Sequence, residues 1–171
     1  GTCMYMIWTA TACLIEFVNT VVWKGHAINL APIWCDISSK LLLGAGVGIP
    51  AAALCIARRL YIIASVQSAS ITRKDKRRAV ICDLCISIGL PVLVMVLHVV
   101  VQAHRFDILQ DIGCYPVIYN TLPAYFLVFQ WPVSIGCVSF VYSALALRQF
   151  WIRRIQFSQL ISSNTSLSAS R

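Results

Sequence analysis

The chain has 171 residues, of which 59% are hydrophobic and 12% charged, and it carries a formal net charge of +8. A soluble domain has about 25% charged residues and could not hide so much apolar surface, so a water-soluble fold is excluded and a bilayer becomes the natural solvent. The basic residues come with no aromatic stacking platform and no base-reading motif, which sets nucleic-acid binding aside in favour of contact with membrane lipid.

Four runs are long and apolar enough to cross a bilayer, which takes about 20 residues. None alternates with period two, so all four read as helices, and no internal repeat is visible. The first covers about residues 2–22. Glu16 and Asn19 lie three apart on one face of it. A carboxylate facing lipid costs about 2.5–3.5 kcal/mol, so this face is expected to look into the bundle. Residues 23–36 form a short linker with Pro32.

The second span covers about residues 37–64. Lys40, near its start, is expected to pair with Glu16 or to snorkel to the interface. Gly44 and Gly48 have the spacing that admits a close neighbour, and Pro50 should kink the helix. A polar linker, residues 65–78, ends in Arg73, Lys74, Lys76, Arg77 and Arg78.

The third span, about 79–101, has Pro91 as a second kink site, and its Asp83 is expected to pair with Arg77 and Arg78. Residues 102–121 form a longer loop, where His104, Arg105, Asp107, Gln110 and Asp111 mix with Phe106 and Tyr115. That cluster suits either ligand contact or an ordinary solvated loop. The fourth span, about 122–147, contains Pro123 and Pro132 as further kink sites. A polar tail, 148–171, carries Arg148, Arg153 and Arg154 and then Ser162, Ser163, Ser166, Ser168 and Ser170.

Eleven of the fourteen basic residues sort to one side: Arg58, Arg59, Arg73, Lys74, Lys76, Arg77, Arg78, Arg148, Arg153, Arg154 and Arg171. Lys and Arg mark the cytoplasmic face. The 65–78 loop and the tail are therefore expected inside, and the 23–36 and 102–121 loops outside. Asn164-Thr165-Ser166 matches a glycosylation acceptor, but this topology puts it inside and unused. Gly1 opens almost directly into an apolar run, and Arg171 closes a Ser-rich stretch, so the chain reads as an internal piece of a longer protein.

Of eight cysteines, this topology leaves only Cys35 and Cys114 facing an oxidising exterior. They are expected to form a disulfide, with two free thiols as the alternative. Cys82 and Cys85 resemble half a zinc site without a second pair, and ordinary buried thiols are the plainer reading. Neither a zinc-protease, a nucleophile-elbow nor a phosphate-loop motif is present, and His26, His98 and His104 lack metal-ligand spacing. No catalytic activity, metal or cofactor is expected.

Several blocks together resemble the fungal a-factor-type mating pheromone receptors, class D G-protein-coupled receptors, with basidiomycete forms nearest. They are Trp34-Cys35-Asp36 through Lys40, Gly44 through Ala52, Leu54 through Tyr61, Lys76-Arg77-Arg78, Gly89-Leu90-Pro91, Val101 through Ile108, Asp111 through Pro116, Gln130-Trp131-Pro132, Gly136 through Ser139, and Arg153 through Asn164. The resemblance covers nearly the whole chain in order.

It implies an all-α membrane protein, the second to fifth helices of a seven-helix bundle in the plasma membrane. It also implies a farnesylated peptide pheromone as ligand and a heterotrimeric G protein as partner. The expected ligand residues are Glu16, Asn19, Trp34, Gln102, His104, Arg105 and Asp107. The expected coupling residues are Arg58, Arg59, Arg77, Arg78, Arg148, Arg153 and Arg154, and the tail serines are candidate phosphorylation sites. A small transporter or channel subunit is the alternative reading.

Overall fold

The computed structural model describes residues 1–29, 31–65 and 73–168, the side chains of Lys76 and of residues 157–168 excepted. Residues 66–72 of the basic linker and 169–171 of the tail lie outside the described residues, as do the side chains of the tail serines. Helix α1 spans Thr2–Val22 and α2 spans Pro32–Ser65. The third long helix is α3, Arg73–Leu84, then a π-helical turn at Cys85–Gly89, then α4, Leu90–Val101. An antiparallel hairpin follows, β1 at Asp107–Leu109 and β2 at Gly113–Tyr115. The last long helix runs through α5, Leu122–Ala124, a second π-helical turn at Tyr125–Phe129, and α6, Gln130–Ser168. The described residues thus hold four helices long and apolar enough to span a membrane, and the protein is an all-α membrane protein.

Several boundaries differ from the sequence expectation. Helix α2 starts at Pro32, not at 37, because a proline in the first turn sacrifices only an N–H that has no helical partner anyway. Pro123 likewise sits in the first turn of α5, so it opens a helix rather than kinking one. The 102–121 loop contains the hairpin. Residues 148–168 extend α6 as helix, since that stretch contains neither Pro nor Gly to stop it. Pro50 lies inside α2, which continues as helix on both sides. Pro91 and Pro132 each lie just beyond a π-helical turn, the wider turn that accommodates a proline ring and its missing N–H.

The core lies between α2, α4 and the last helix: Val47, Ala51, Val94, Val101, Ala124, Val128 and Ile135 are buried together. Much of the outer surface is apolar, with Met6, Leu14, Phe17, Val100, Phe126 and Phe140 all exposed. In a bilayer these side chains meet lipid.

One contact ties three helices. Pro91 has no N–H to offer the carbonyl of Ser87, four residues back. The indole Nε1 of Trp8 donates to that carbonyl at 2.9 Å. The same indole lies over Gly48, where an added Cβ would come within 2.5 Å of the ring. The small residue of α2 therefore admits an aromatic ring from α1.

Gly48→Ala is expected to push Trp8 off Ser87 and cost about 1–3 kcal/mol, as overpacking does. Gly46→Ala, with open space around it, is the control. Thermal unfolding of the two purified full-length variants measures the difference; equal melting temperatures would contradict the account.

Candidate ligand-binding site

One end of the bundle is organised by the hairpin. Cys35, near the start of α2, and Cys114, in β2, are joined by a disulfide with 5.1 Å between Cα atoms. Both are fully buried, packed with Trp23 and flanked by Trp34, Phe106 and Ile108. The hairpin tip is tied as well. The Asp111 carboxylate accepts the Gly25 N–H at 2.8 Å, and the Asp111 N–H donates to the Trp23 carbonyl at 3.1 Å. Asp111 adopts φ +64°, a left-handed conformation that Asp tolerates better than most residues. Gly113 has φ +84°, and a Cβ there would meet Asn19 Cβ at 2.7 Å.

Asn19, Trp34 and Cys114 form one unit. Trp34 Nε1 donates to Asn19 Oδ1 at 3.0 Å, and Asn19 Nδ2 donates to the Cys114 carbonyl at 3.4 Å. Asn19 is fully buried. Its amide joins α1, α2 and β2, so its polar atoms serve the architecture.

The remaining predicted ligand residues fall into two places. His104, Arg105 and Asp107 lie exposed on the hairpin's leading edge. His104 Nε2 is 2.6 Å from the Asp107 carboxylate. Arg105 pairs with Asp36 of α2, whose carboxylate pushes the guanidinium pKa above its usual value, so it stays charged. Gln102 anchors this edge from below, its Nε2 donating to the carbonyls of His104 and Arg105 at 3.0 Å each.

Glu16 stands apart from these. It lines a half-open cleft of about 460 Å³ with Leu42, Leu43, Gly46, Val47, Tyr115, Pro116, Ile118, Val128, Phe129 and Pro132. Small-molecule sites commonly enclose about 300–1,000 Å³ of mostly apolar wall with a few polar groups. The cleft fits that description, with one carboxylate and a roof from the end of the hairpin.

Lys40 does not pair with Glu16. Its Nζ donates to His98 Nδ1 at 2.8 Å and to Gln102 Oε1 at 2.7 Å. Sequence reasoning missed this partnership, and also the tip clamp of Asp111 on Gly25. The one available signal for Lys40 was a cation inside an apolar span, which calls for a partner without saying which.

At the opposite end, Asp83 is 2% exposed. It pairs with Arg59 Nε at 2.6 Å and Arg58 Nη2 at 3.4 Å. The expected partners Arg77 and Arg78 are exposed. They lie six and five residues back along the helix, a spacing that does not share a face with Asp83. Arg148 and Arg154 are also exposed and Arg153 is half-buried; among the described residues none of the three contacts a carboxylate. The six remaining cysteines are free, and the described residues contain no cluster able to hold a metal.

Comparison with known proteins decides the family. The family model described as "Pheromone A receptor" matches residues 1–171, the entire chain. The chain belongs to that family. It is similar to the pheromone B alpha 2 receptor of Schizophyllum commune (54% identical over 171 residues, all of this chain and 26% of the relative). It is similar to the pheromone B alpha 3 receptor of the same fungus (51% over 171 residues, all of this chain and 27% of the relative). Pheromone receptor 1 of Mycosarcoma maydis is 39% identical over 166 residues, 97% of this chain and 46% of that receptor. The chain thus spans about a quarter to a half of the length of these relatives. No solved structure matches. The pheromone A receptors are multi-pass, seven-helix membrane proteins, and the four long helices here accord with that.

Cys35→Ser and Cys114→Ser are expected to give the same loss of surface expression and heat resistance, singly and combined. Additive losses would mean the sulfurs act separately. Gly113→Ala is expected to be as damaging as either, because its Cβ would displace Asn19. Surface labelling of the tagged full-length receptor reads both comparisons.

Proposed function

We propose that this chain is the ligand-binding middle of a plasma-membrane receptor for a farnesylated peptide mating pheromone, and that the receptor signals through a heterotrimeric G protein. In this reading its four spans are the second to fifth of seven helices. The cleft beneath the hairpin is the observation that carries the reading. It offers an apolar wall from α2 and the last helix, a single carboxylate from Glu16, and a roof from Tyr115 and Pro116 at the end of the hairpin. An amphiphile with an isoprenoid chain and a peptide head matches that division.

Binding would shift a population rather than drive a reaction: the ligand stabilises whichever helix arrangement it contacts better. His104, Arg105 and Asp107 are the peptide contacts, with Glu16 meeting a donor or cation of the ligand. Asn19 and Trp34 act behind them by fixing the hairpin. At the other end Arg77, Arg78, Arg148, Arg153 and Arg154 are the coupling surface, with Arg58 and Arg59 held beside it by Asp83. The relatives' names favour a receptor over the transporter alternative.

The test uses fungal cells carrying the full-length gene and synthetic peptides with and without the farnesyl group. A dose-dependent mating-response reporter signal to the farnesylated peptide alone is expected. Silence toward every compatible pheromone at normal surface expression would sink the proposal. Glu16→Gln is expected to raise the half-maximal concentration about tenfold, the loss of roughly 1.4 kcal/mol of binding, with surface expression unchanged.

A further inference from the structure

Lys40 is a charged residue on α2 whose hydrogen bonds go to neutral acceptors. Lys has only donors, so His98 Nδ1 must accept through its lone pair and the ring proton sits on Nε2. His98 is 1% exposed. The second Lys40 bond fixes the Oε1 side of the Gln102 carboxamide. That leaves Gln102 Nε2 aimed at the carbonyls of His104 and Arg105. Gln102 is the first residue beyond α4, with extended backbone at φ −71° and ψ 121°. The chain has just left its helix there, and its next carbonyls have no helical donor.

We propose that Lys40 is a positioning residue for ligand recognition: through Gln102 it sets the main chain at residues 104 and 105, and so aims His104, Arg105 and Asp107. This rests on the reading of that edge as the ligand contact. The relay runs from α2 to the hairpin independently of the Cys35–Cys114 bond. Asp36, one turn before Lys40, reinforces it by holding the Arg105 side chain. A charged donor bonded to a neutral acceptor is worth more than a neutral pair, so the ammonium suits the first link.

Two variants separate this relay from simple helix packing. Lys40→Met keeps the stem and removes the donors. Gln102→Glu keeps, and strengthens, the contact with Lys40 but removes the two N–H donors to the carbonyls. If Lys40 only holds α2 against α4, Gln102→Glu is silent. If the relay is right, both variants behave alike.

The experiment uses full-length receptor in lipid nanodiscs and in cells. Amide hydrogen exchange in residues 104–109 is expected to accelerate in Lys40→Met and in Gln102→Glu, and no further in the double variant. Residues beside Cys114 should keep their protection. In cells, the synthetic farnesylated peptide that activates wild type should need about 10- to 100-fold higher concentration for half-maximal signal, with the maximum unchanged. Wild-type exchange and potency in Gln102→Glu would overturn the proposal. So would a lost maximum matched by lost surface receptor in both variants. Should no peptide activate wild type, the receptor reading fails, and the exchange comparison still decides the relay.

Discussion

Within a bilayer a backbone N–H or C=O that leaves regular helix has no water to turn to, and the irregular parts of this protein are arranged around that constraint. Pro91 leaves the Ser87 carbonyl without its usual donor, and Trp8 of α1 supplies one. The carbonyl of Cys114 takes the Asn19 amide. In the exposed loops, where water competes, Gln102 also binds the carbonyls of the chain leaving α4, and Asp111 the Gly25 N–H. Trp8 and Asn19 both reach out from α1, so these two repairs also fix α1 against the third long helix and against the hairpin. At these two points a tertiary contact and the satisfaction of a stray backbone group are one and the same.

The two ends solve different problems. The hairpin end is covalently closed and densely hydrogen-bonded, which holds its shape. The opposite end is held by charge. Asp83 is buried against Arg58 and Arg59, while those arginines remain partly exposed. Cys55 adds only weak sulfur contacts, to the Asp83 carbonyl at 3.8 Å and the Ser87 hydroxyl at 3.7 Å. Tyr61 meets Tyr142 edge-on, with 6.0 Å between ring centres, and joins α2 to α6. The sulfur and ring contacts are individually modest, whereas removing either side of the buried Asp83 pair would leave an uncompensated charge.

The number and rough placement of the spans were legible because apolar runs of membrane length have few competing explanations. The pairing of Cys35 with Cys114 was suggested by sidedness alone. Other features depend on facts that no local pattern carries. Asp83 turns toward α2 because of its angular position, which linear closeness to Arg77 and Arg78 concealed. Lys40 turns toward His98 and Gln102, 58 and 62 residues away. Asn19 read as a ligand group because a polar residue in a span usually is functional. Its partners are the Trp34 indole and the Cys114 carbonyl, and the latter could not be known before the hairpin was placed. The long helical extension of α6 was hidden by its polarity, since polar residues without Pro or Gly read equally well as tail or helix.

The two π-helical turns also set the rotational phase of everything beyond them. A π turn takes up about one more residue than the 3.6 of an α turn, so the helix after it is rotated by roughly 100° relative to an uninterrupted one. The face that Val94 and His98 bury is therefore in register with α2 only because Cys85–Gly89 holds that extra residue. A relative one residue shorter in this segment could close an ordinary turn there. It would then present a different stripe of side chains to its neighbours while aligning almost perfectly by sequence. Divergence between such receptors can thus arise from helix phase, with every ligand-facing residue unchanged.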